Sequence, residues 1–303
     1  MVNFPVPKKP VVKIKPYLEK SIACPVCRKN STQPEVKNRL FVERDRDVDL
    51  KPKTYLWAIK DLEECHPPLY YMWSCEHCKF TTASVHFANP AKSHNLLNSA
   101  FNQGIKFSAE RKNYGTISEL LQAPALSELP RTFVGGFALH MLALYQLEGM
   151  EEIVQRETIL LGKYYLRTAW LFRDLKDTFS KEKDSVEQLL GHVKRFWEEI
   201  PTLEYACLER AAGLLEKGLE TSSAIETTRD EIELILLIAR IWMKAGDTRK
   251  AKNFGAYSRE RLAKYETELA KAETAKTPEQ AGEVQRLKLS QSAVLNMLAD
   301  LST

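Results

Sequence analysis

The rhythm of apolar and polar positions changes near residue 92. Before it, residues 21–91 carry short β-compatible runs such as RLFVE and LYYMW, broken by Pro34, Pro52, Pro67 and Pro68. That pattern predicts short strands and loops. Beyond it, the stretches PRTFVGGFALHMLALYQLEG, EEIVQRETILLGKYYLRTAWLFRDL and RDEIELILLIARIWMKAG repeat apolar residues at helical spacing. Residues 92–303 are therefore predicted to be almost wholly α-helical. Gly149 and Gly246 each follow a periodic stretch, as residues at chain reversals past helix ends do, and Pro130 and Pro278 stand where helices can begin. The final stretch, PEQAGEVQRLKLSQSAVLNMLAD, predicts an amphipathic helix suited to cap a helical stack. Residues 1–20, with prolines spread through a basic run, predict an extended tail. The fold class expected is mainly α with a small β-rich N-terminal module.

Charge refines this division. The 303 residues hold 44 Lys and Arg against 40 Asp and Glu, a net charge of +4, without the strong field of a dedicated nucleic-acid binder. Residues 1–80 hold 15 basic and 10 acidic groups, so any electrostatic preference for a partner concentrates there. The most apolar window, IELILLIARIWM, is too short to span a bilayer and contains Glu233 and Arg240, so no membrane insertion is expected.

Six cysteines fall as two Cys-x-x-Cys pairs, Cys24/Cys27 and Cys75/Cys78, plus Cys65 and Cys207. This spacing is unlike the disulfide framework of a small secreted protein and fits a reducing cytoplasm. Four thiolates on two turns satisfy the tetrahedral demand of a structural zinc ion, and the 47 residues between the pairs can form strands that return the second knuckle to the first. A redox dithiol would sit at a helix N-terminus beside a βαβ pattern, which neither pair does. Cys65, His66 and His77 form an alternative, less regular ligand set. Four thiolates close the metal's coordination sphere, so the expected Zn2+ is structural, with no catalytic position open.

Between the knuckles, FVERDRDVDL alternates Glu43, Asp45, Asp47 and Asp49 with other residues. Read as a strand, it puts four carboxylates on one face, either solvated or facing a cation or basic partner. No phosphate-cradling glycine loop or catalytic triad spacing is evident, and His140 within FALHMLALY reads as a core histidine. An enzyme is not expected.

In IELILLIARIWMKAGDTRKAKNF, Ile235, Ile238, Ala239, Trp242 and Ala251 fall at the large, small and aromatic positions of a tetratricopeptide repeat, while Gly255 and Ser258 depart from it. YLRTAWLFRDLKD places Ala169 and Phe172 like Ala239 and Trp242, 70 residues earlier and close to two repeat lengths. Taken in order, CPVC, RDRDVD, PPLYYMWSCEHCKF, YYLRTAWLFRDLKD and ARIWMKAGDTRKA resemble a bacterial family of unknown function. That family joins an N-terminal four-cysteine zinc ribbon to tetratricopeptide-like helices. The resemblance covers most of residues 21–260 and implies an architecture without an established reaction. The organisation expected is a tail over 1–20, a zinc-ribbon-like module over 21–91 and a tetratricopeptide-like helical array over 92–303.

Stacked helix pairs present a concave groove for a peptide or partner helix. By repeat phase, Lys163, Leu166, Trp170 and Arg173 line it in one unit, and Glu233, Leu236, Arg240 and Met243 in another. Arg173 and Arg240 are the candidates for a partner carboxylate. The expected function is a non-catalytic protein–protein adaptor or scaffold. Its alternative is nucleic-acid binding through Lys8, Lys9, Lys13, Lys15, Lys20, Arg28 and Lys29, with Tyr70, Tyr71 or Trp73 stacking on bases.

Overall fold

In a computed structural model, residues 15–62, 65–88, 113–126, 129–149, 158–221, 225, 227–271 and 277–301 are described. Three antiparallel strand pairs come first. Strands β1 (Tyr17–Ala23) and β2 (Asn30–Val36) pair in register from Tyr17 opposite Val36 to Ala23 opposite Asn30. Strands β3 (Phe41–Arg46) and β4 (Pro52–Trp57) form a second hairpin, and β5 (Met72–Ser74) with β6 (Thr81–Ala83) a third, shorter one. Residues 17–20, read as tail, are thus the first half of β1.

The helices are α1 (Ser84–Ala88), α2 (Tyr114–Leu126), α3 (Phe133–Glu148), α4 (Thr158–Asp177), α5 (Lys183–Lys194), α6 (Glu204–Thr221), α7 (Thr228–Ala245), α8 (Thr248–Lys271) and α9 (Pro278–Asp300). Helix α3 is apolar on nearly all sides and is buried from Gly135 through Leu147, as expected of a helix enclosed by its neighbours. Its start is set by Thr132, whose hydroxyl accepts from the Gly135 N–H at 3.1 Å, so the helix begins three residues after Pro130. Pro278 does occupy the first turn of α9, behind a Thr277–Gln280 capping box. Gly246 ends α7 at φ 87°, where only glycine is unstrained, whereas Gly149 ends α3 in a right-handed conformation.

Helix α2 packs on α3, α3 on α4, α4 on α6, α6 on α7 and α7 on α8, while α9 lies against both α7 and α8. The 70-residue interval between Ala169 and Ala239 therefore contributes one stacking helix, α6, because α5 packs on α2 instead. Small residues allow the close contacts: a Cβ on Gly218 of α6 would lie 2.4 Å from Ile159 of α4. Ala169, Ile235, Ile238, Ala239 and Ala251 are fully enclosed, or nearly so. At Gly255, where a repeat would carry an aromatic ring, a Cβ would already meet Leu298 of α9 at 2.8 Å, so the capping helix fills that space.

One continuous apolar core runs from Tyr17 and Cys24 through Trp73, Phe137 and Trp242 to Leu298. The cysteine module is packed into the helices, and α3 meets both β5 and β6. Among the described residues, no helix is long and apolar enough to cross a membrane.

Candidate metal centre and the acidic turn

Each Cys-x-x-Cys pair turns the corner of a hairpin, and the two turns repeat one backbone design. In the first, the Cys24 N–H donates to Lys29 O at 2.9 Å and the Arg28 N–H to Cys24 O at 2.9 Å. In the second, the Cys75 N–H donates to Phe80 O at 2.8 Å and the Lys79 N–H to Cys75 O at 2.9 Å. The residue after each second cysteine is left-handed, Arg28 at φ 63° and Lys79 at φ 65°. These turns aim all four thiols inward. The Cys24 and Cys78 sulfurs lie 3.6 Å apart, as do those of Cys27 and Cys75, and all four sulfurs fall within 4.8 Å of one another.

A tetrahedral ion with metal–sulfur bonds of about 2.3 Å requires sulfurs about 3.8 Å apart, so the donor set fits a metal. None of the four forms a disulfide. Cys24 and Cys75 are enclosed, while Cys27 and Cys78 reach the surface. Thiol contacts from Cys24 and Cys78 hold Cys75 well below the ordinary thiol range, whereas contact with Cys75 pushes Cys24 up and contact with Cys24 pushes Cys78 up. The cluster thus favours one thiolate and opposes further negative charge until a cation neutralises it.

Side chains from the helices and β2 hold the knuckles in place. Gln122 of α2 donates to Cys75 O at 2.9 Å and to Ser74 Oγ at 2.7 Å. Gln146 of α3 donates to Lys79 O at 2.7 Å and accepts from the Thr81 N–H at 2.8 Å. Gln33 of β2 crosses to the third hairpin, donating to Ser74 O at 2.8 Å and accepting from the Ser74 N–H at 3.3 Å. These glutamines carry no motif that sequence reasoning could recognise.

The remaining ligand candidates lie elsewhere. Cys65 is buried, and burial pushes its thiol up to about 11. His66 Nε2 meets Asp174 Oδ2 at 2.9 Å, and His77 Nε2 meets the Asn30 carbonyl at 3.1 Å, bracing the first knuckle from the second. Among the described residues, no other group of His, Cys, Asp or Glu converges in this way. His140 is enclosed, bonded through Nδ1 to Gly136 O at 2.9 Å, and burial pulls it down to about 3, so its ring is neutral.

The acidic alternation does not form a four-carboxylate strand face. Strand β3 ends at Arg46, Asp45 is left-handed at φ 46°, and Leu50 at φ 68° closes a turn that drives Asp47 and Asp49 inward. Only Glu43 and Asp45 stay on the exposed hairpin. Arg173 of α4 donates to Asp47 at 2.8 Å and to both carboxylate oxygens of Asp49 at 3.0 and 2.8 Å. Lys244 of α7 reaches Asp47 at 2.7 Å, and Trp170 Nε1 donates to Asp49 at 3.0 Å. Burial opposes the ionised form of Asp47, but the Lys244 and Val48 hydrogen bonds and the nearby Arg173 charge hold its carboxyl below the usual range. Next to this network, Asp174 takes Lys51 at 2.6 Å.

The chain's own turn therefore occupies part of the predicted partner groove. Arg173 and Trp170 are committed to it, and Leu166 and Met243 are buried in the core, so these four do not line an open groove. Lys163, Glu233, Leu236 and Arg240 do line an open cavity of about 800 Å³ between α4, α7 and α9. The nucleic-acid candidates also find other uses. Tyr70 and Trp73 are buried, Trp73 donates to Pro34 O at 2.9 Å, and Tyr71 is half-buried beneath the Arg167 guanidinium. Lys15 pairs with Glu19 and Lys20 with Glu35, Arg28 and Lys29 lie on the first knuckle, and Lys8, Lys9 and Lys13 lie outside the described residues.

No curated protein and no solved structure matches the chain. A family described as an uncharacterized protein conserved in bacteria (DUF2225) matches residues 17–276, a span that takes in both knuckles, the acidic turn and the stack through α8, and the chain belongs to that family.

Proposed function

We propose that the protein is a non-catalytic adaptor in which Zn2+ is structural and a tetratricopeptide-like helical stack receives a segment of a protein partner. The observation that carries this reading is the half-filled face of α4 and α7. The acidic turn covers one part, and Lys163, Glu233, Leu236 and Arg240 line the open cavity beside it. Four soft thiolates suit zinc and close its sphere, and a reducing cytoplasm would keep them available. When bound, the ion supplies cross-linking and charge neutralisation. The thiols of the chain orient it, and the glutamines hold the turns that present them.

Two measurements test the proposal. Freshly purified protein should contain one zinc per chain, and a clearly lower content with free thiols would overturn the zinc assignment. Affinity isolation of the full zinc-loaded chain should recover a stoichiometric protein whose capture is lost with Leu237→Trp, a bulky substitution at a half-buried position that lines the cavity and leaves its charge unchanged. Recovery of nucleic acid alone, or capture indifferent to Leu237→Trp, would overturn the adaptor.

A further inference from the structure

On α4, Lys163, Arg167, Trp170 and Arg173 follow one another at intervals of three or four residues and so share one stripe of the helix. The two ends of that stripe are treated differently. At the Arg173 end, Asp47 and Asp49 neutralise the guanidinium, with Glu204 adding a contact at 2.7 Å. At the Lys163 end, among the described residues, no carboxylate forms an ion pair with Lys163, Arg167 or the neighbouring Arg240 of α7. Arg167 lies 3.7 Å over the Tyr71 ring. Arg240 is buried, and among the described residues its hydrogen-bond partners are carbonyls, Val48 O at 3.3 Å and Ser290 O at 3.5 Å.

A buried cation without a counter-ion, as Arg240 is, is unfavourable, and with the half-buried Arg167 and the exposed Lys163 it borders a cavity of a size common for ligand sites. Loss of solvent pulls both Lys163 and Arg240 down; at Lys163 the charge of Arg167 adds to the effect and the Asp230 carboxylate opposes it. The acids lining the cavity have partners of their own: Glu233 takes Arg229 at 2.8 Å, Asp230 takes the Thr227 hydroxyl at 2.7 Å, and Glu283 takes the Tyr265 hydroxyl at 3.2 Å. Aliphatic side chains, among them Ile159, Leu234 and Leu237, complete the walls.

We infer that this open half binds a short acidic segment of a partner protein, flanked by aliphatic residues, whose carboxylates engage Lys163, Arg167 and Arg240. The inference rests on the adaptor reading and specifies its partner's chemistry. The protein contains an internal example of such an occupant. The turn Asp47-Val48-Asp49-Leu50 presents two carboxylates to the same pair of helices, and Leu50 itself lines the cavity. Charge-assisted hydrogen bonds to guanidinium groups would orient the segment, and the aliphatic walls would take its neighbours.

The test uses the full zinc-loaded chain and two pools of end-blocked hexapeptides, one of Asp, Glu, Leu and Val, the other with Asn and Gln replacing the acids. The acidic pool should bind at least tenfold more tightly in fluorescence anisotropy. Lys163→Gln and Arg240→Met should each weaken it several-fold, Arg240→Lys should preserve most of the binding, and Lys183→Gln, on α5 and outside the cavity lining, should leave it nearly unchanged. Variants are compared at equal zinc content and helicity. Equal binding of the two pools, or wild-type binding by both charge-removing variants, would overturn the inference. Binding of free glutarate as tight as that of the acidic pool would also overturn it, assigning the cavity to small organic acids. If a captured protein partner is unaffected by Lys163→Gln and Arg240→Met while the acidic pool fails to bind, the adaptor stands and this inference falls. If the acidic pool binds but no protein partner is captured, the adaptor falls and the carboxylate chemistry stands.

Discussion

The two cysteine knuckles share a backbone and differ in what surrounds them. The second is gripped by Gln122 and Gln146 from two helices, and its strands lie against α3. The first is joined to the second through Gln33, the Trp73–Pro34 bond and the His77–Asn30 bond, and its Tyr17 ring stacks on Tyr70 at 5.9 Å. Equal local geometry thus coexists with unequal support: the helices hold one half of the cysteine cluster, and that half, together with Tyr70, holds the other.

The sharpest way to break this comparison is at the ligands. Cys75→Ser should lower the unfolding free energy by more than about 4 kcal/mol, as loss of a structural metal does, and urea unfolding will measure it. Hydrogen exchange should then rise in α2 and α3 as well as in the hairpins. Cys24→Ser should release chiefly residues 17–36, and equal spread from the two variants would refute the asymmetry. Next in size is the acidic turn, a second link between hairpins and helices. Asp49→Asn leaves Arg173 partly unpaired in a buried site and should destabilise the fold by about 3 kcal/mol.

Asp47 adds a pH signature to the same link. Its folded-state pKa is depressed, so its stabilisation is present above the ordinary carboxylate value of 3.8 and is lost as pH falls through the lower folded value. Acid titration of unfolding should show that loss in the wild type and a weaker one in Asp47→Asn. A smaller effect should follow from Gln146→Leu, which removes bonds to Lys79 O and the Thr81 N–H and should cost about 1–2 kcal/mol. Its exchange signature should be confined to the second knuckle and α3. Smallest is Arg28→Gly, which relieves a left-handed residue on the less supported knuckle and should raise stability by at most about 1 kcal/mol in thermal unfolding.

Sequence made the four-cysteine cluster legible because a Cys-x-x-Cys pair on a tight turn is a local signature, and two such pairs match the donor count of one coordination sphere. Helical periodicity was equally local, so the mainly helical character of the later chain could be read from it. The acidic turn was not legible. Alternation at Glu43, Asp45, Asp47 and Asp49 looks the same in a continuing strand and in one that stops, and the reversal depends on positive φ at Asp45 and Leu50. What stabilises that reversal is Arg173 and Lys244, more than 120 residues away, whose charges suit solvent as readily as a buried clasp. Helical phase alone could not distinguish Arg173, which is used internally, from Lys163, which is left facing a cavity.

The clasp between Asp49 and Arg173 also imposes an order in time. On a chain made from its N-terminus, all four thiols have been synthesised once residue 78 is added, but Asp49 must wait for Arg173, and Asp47 also for Lys244. The four thiols can therefore converge while the turn between them still carries uncompensated negative charge. The ribosome's schedule separates two links that the finished molecule holds together.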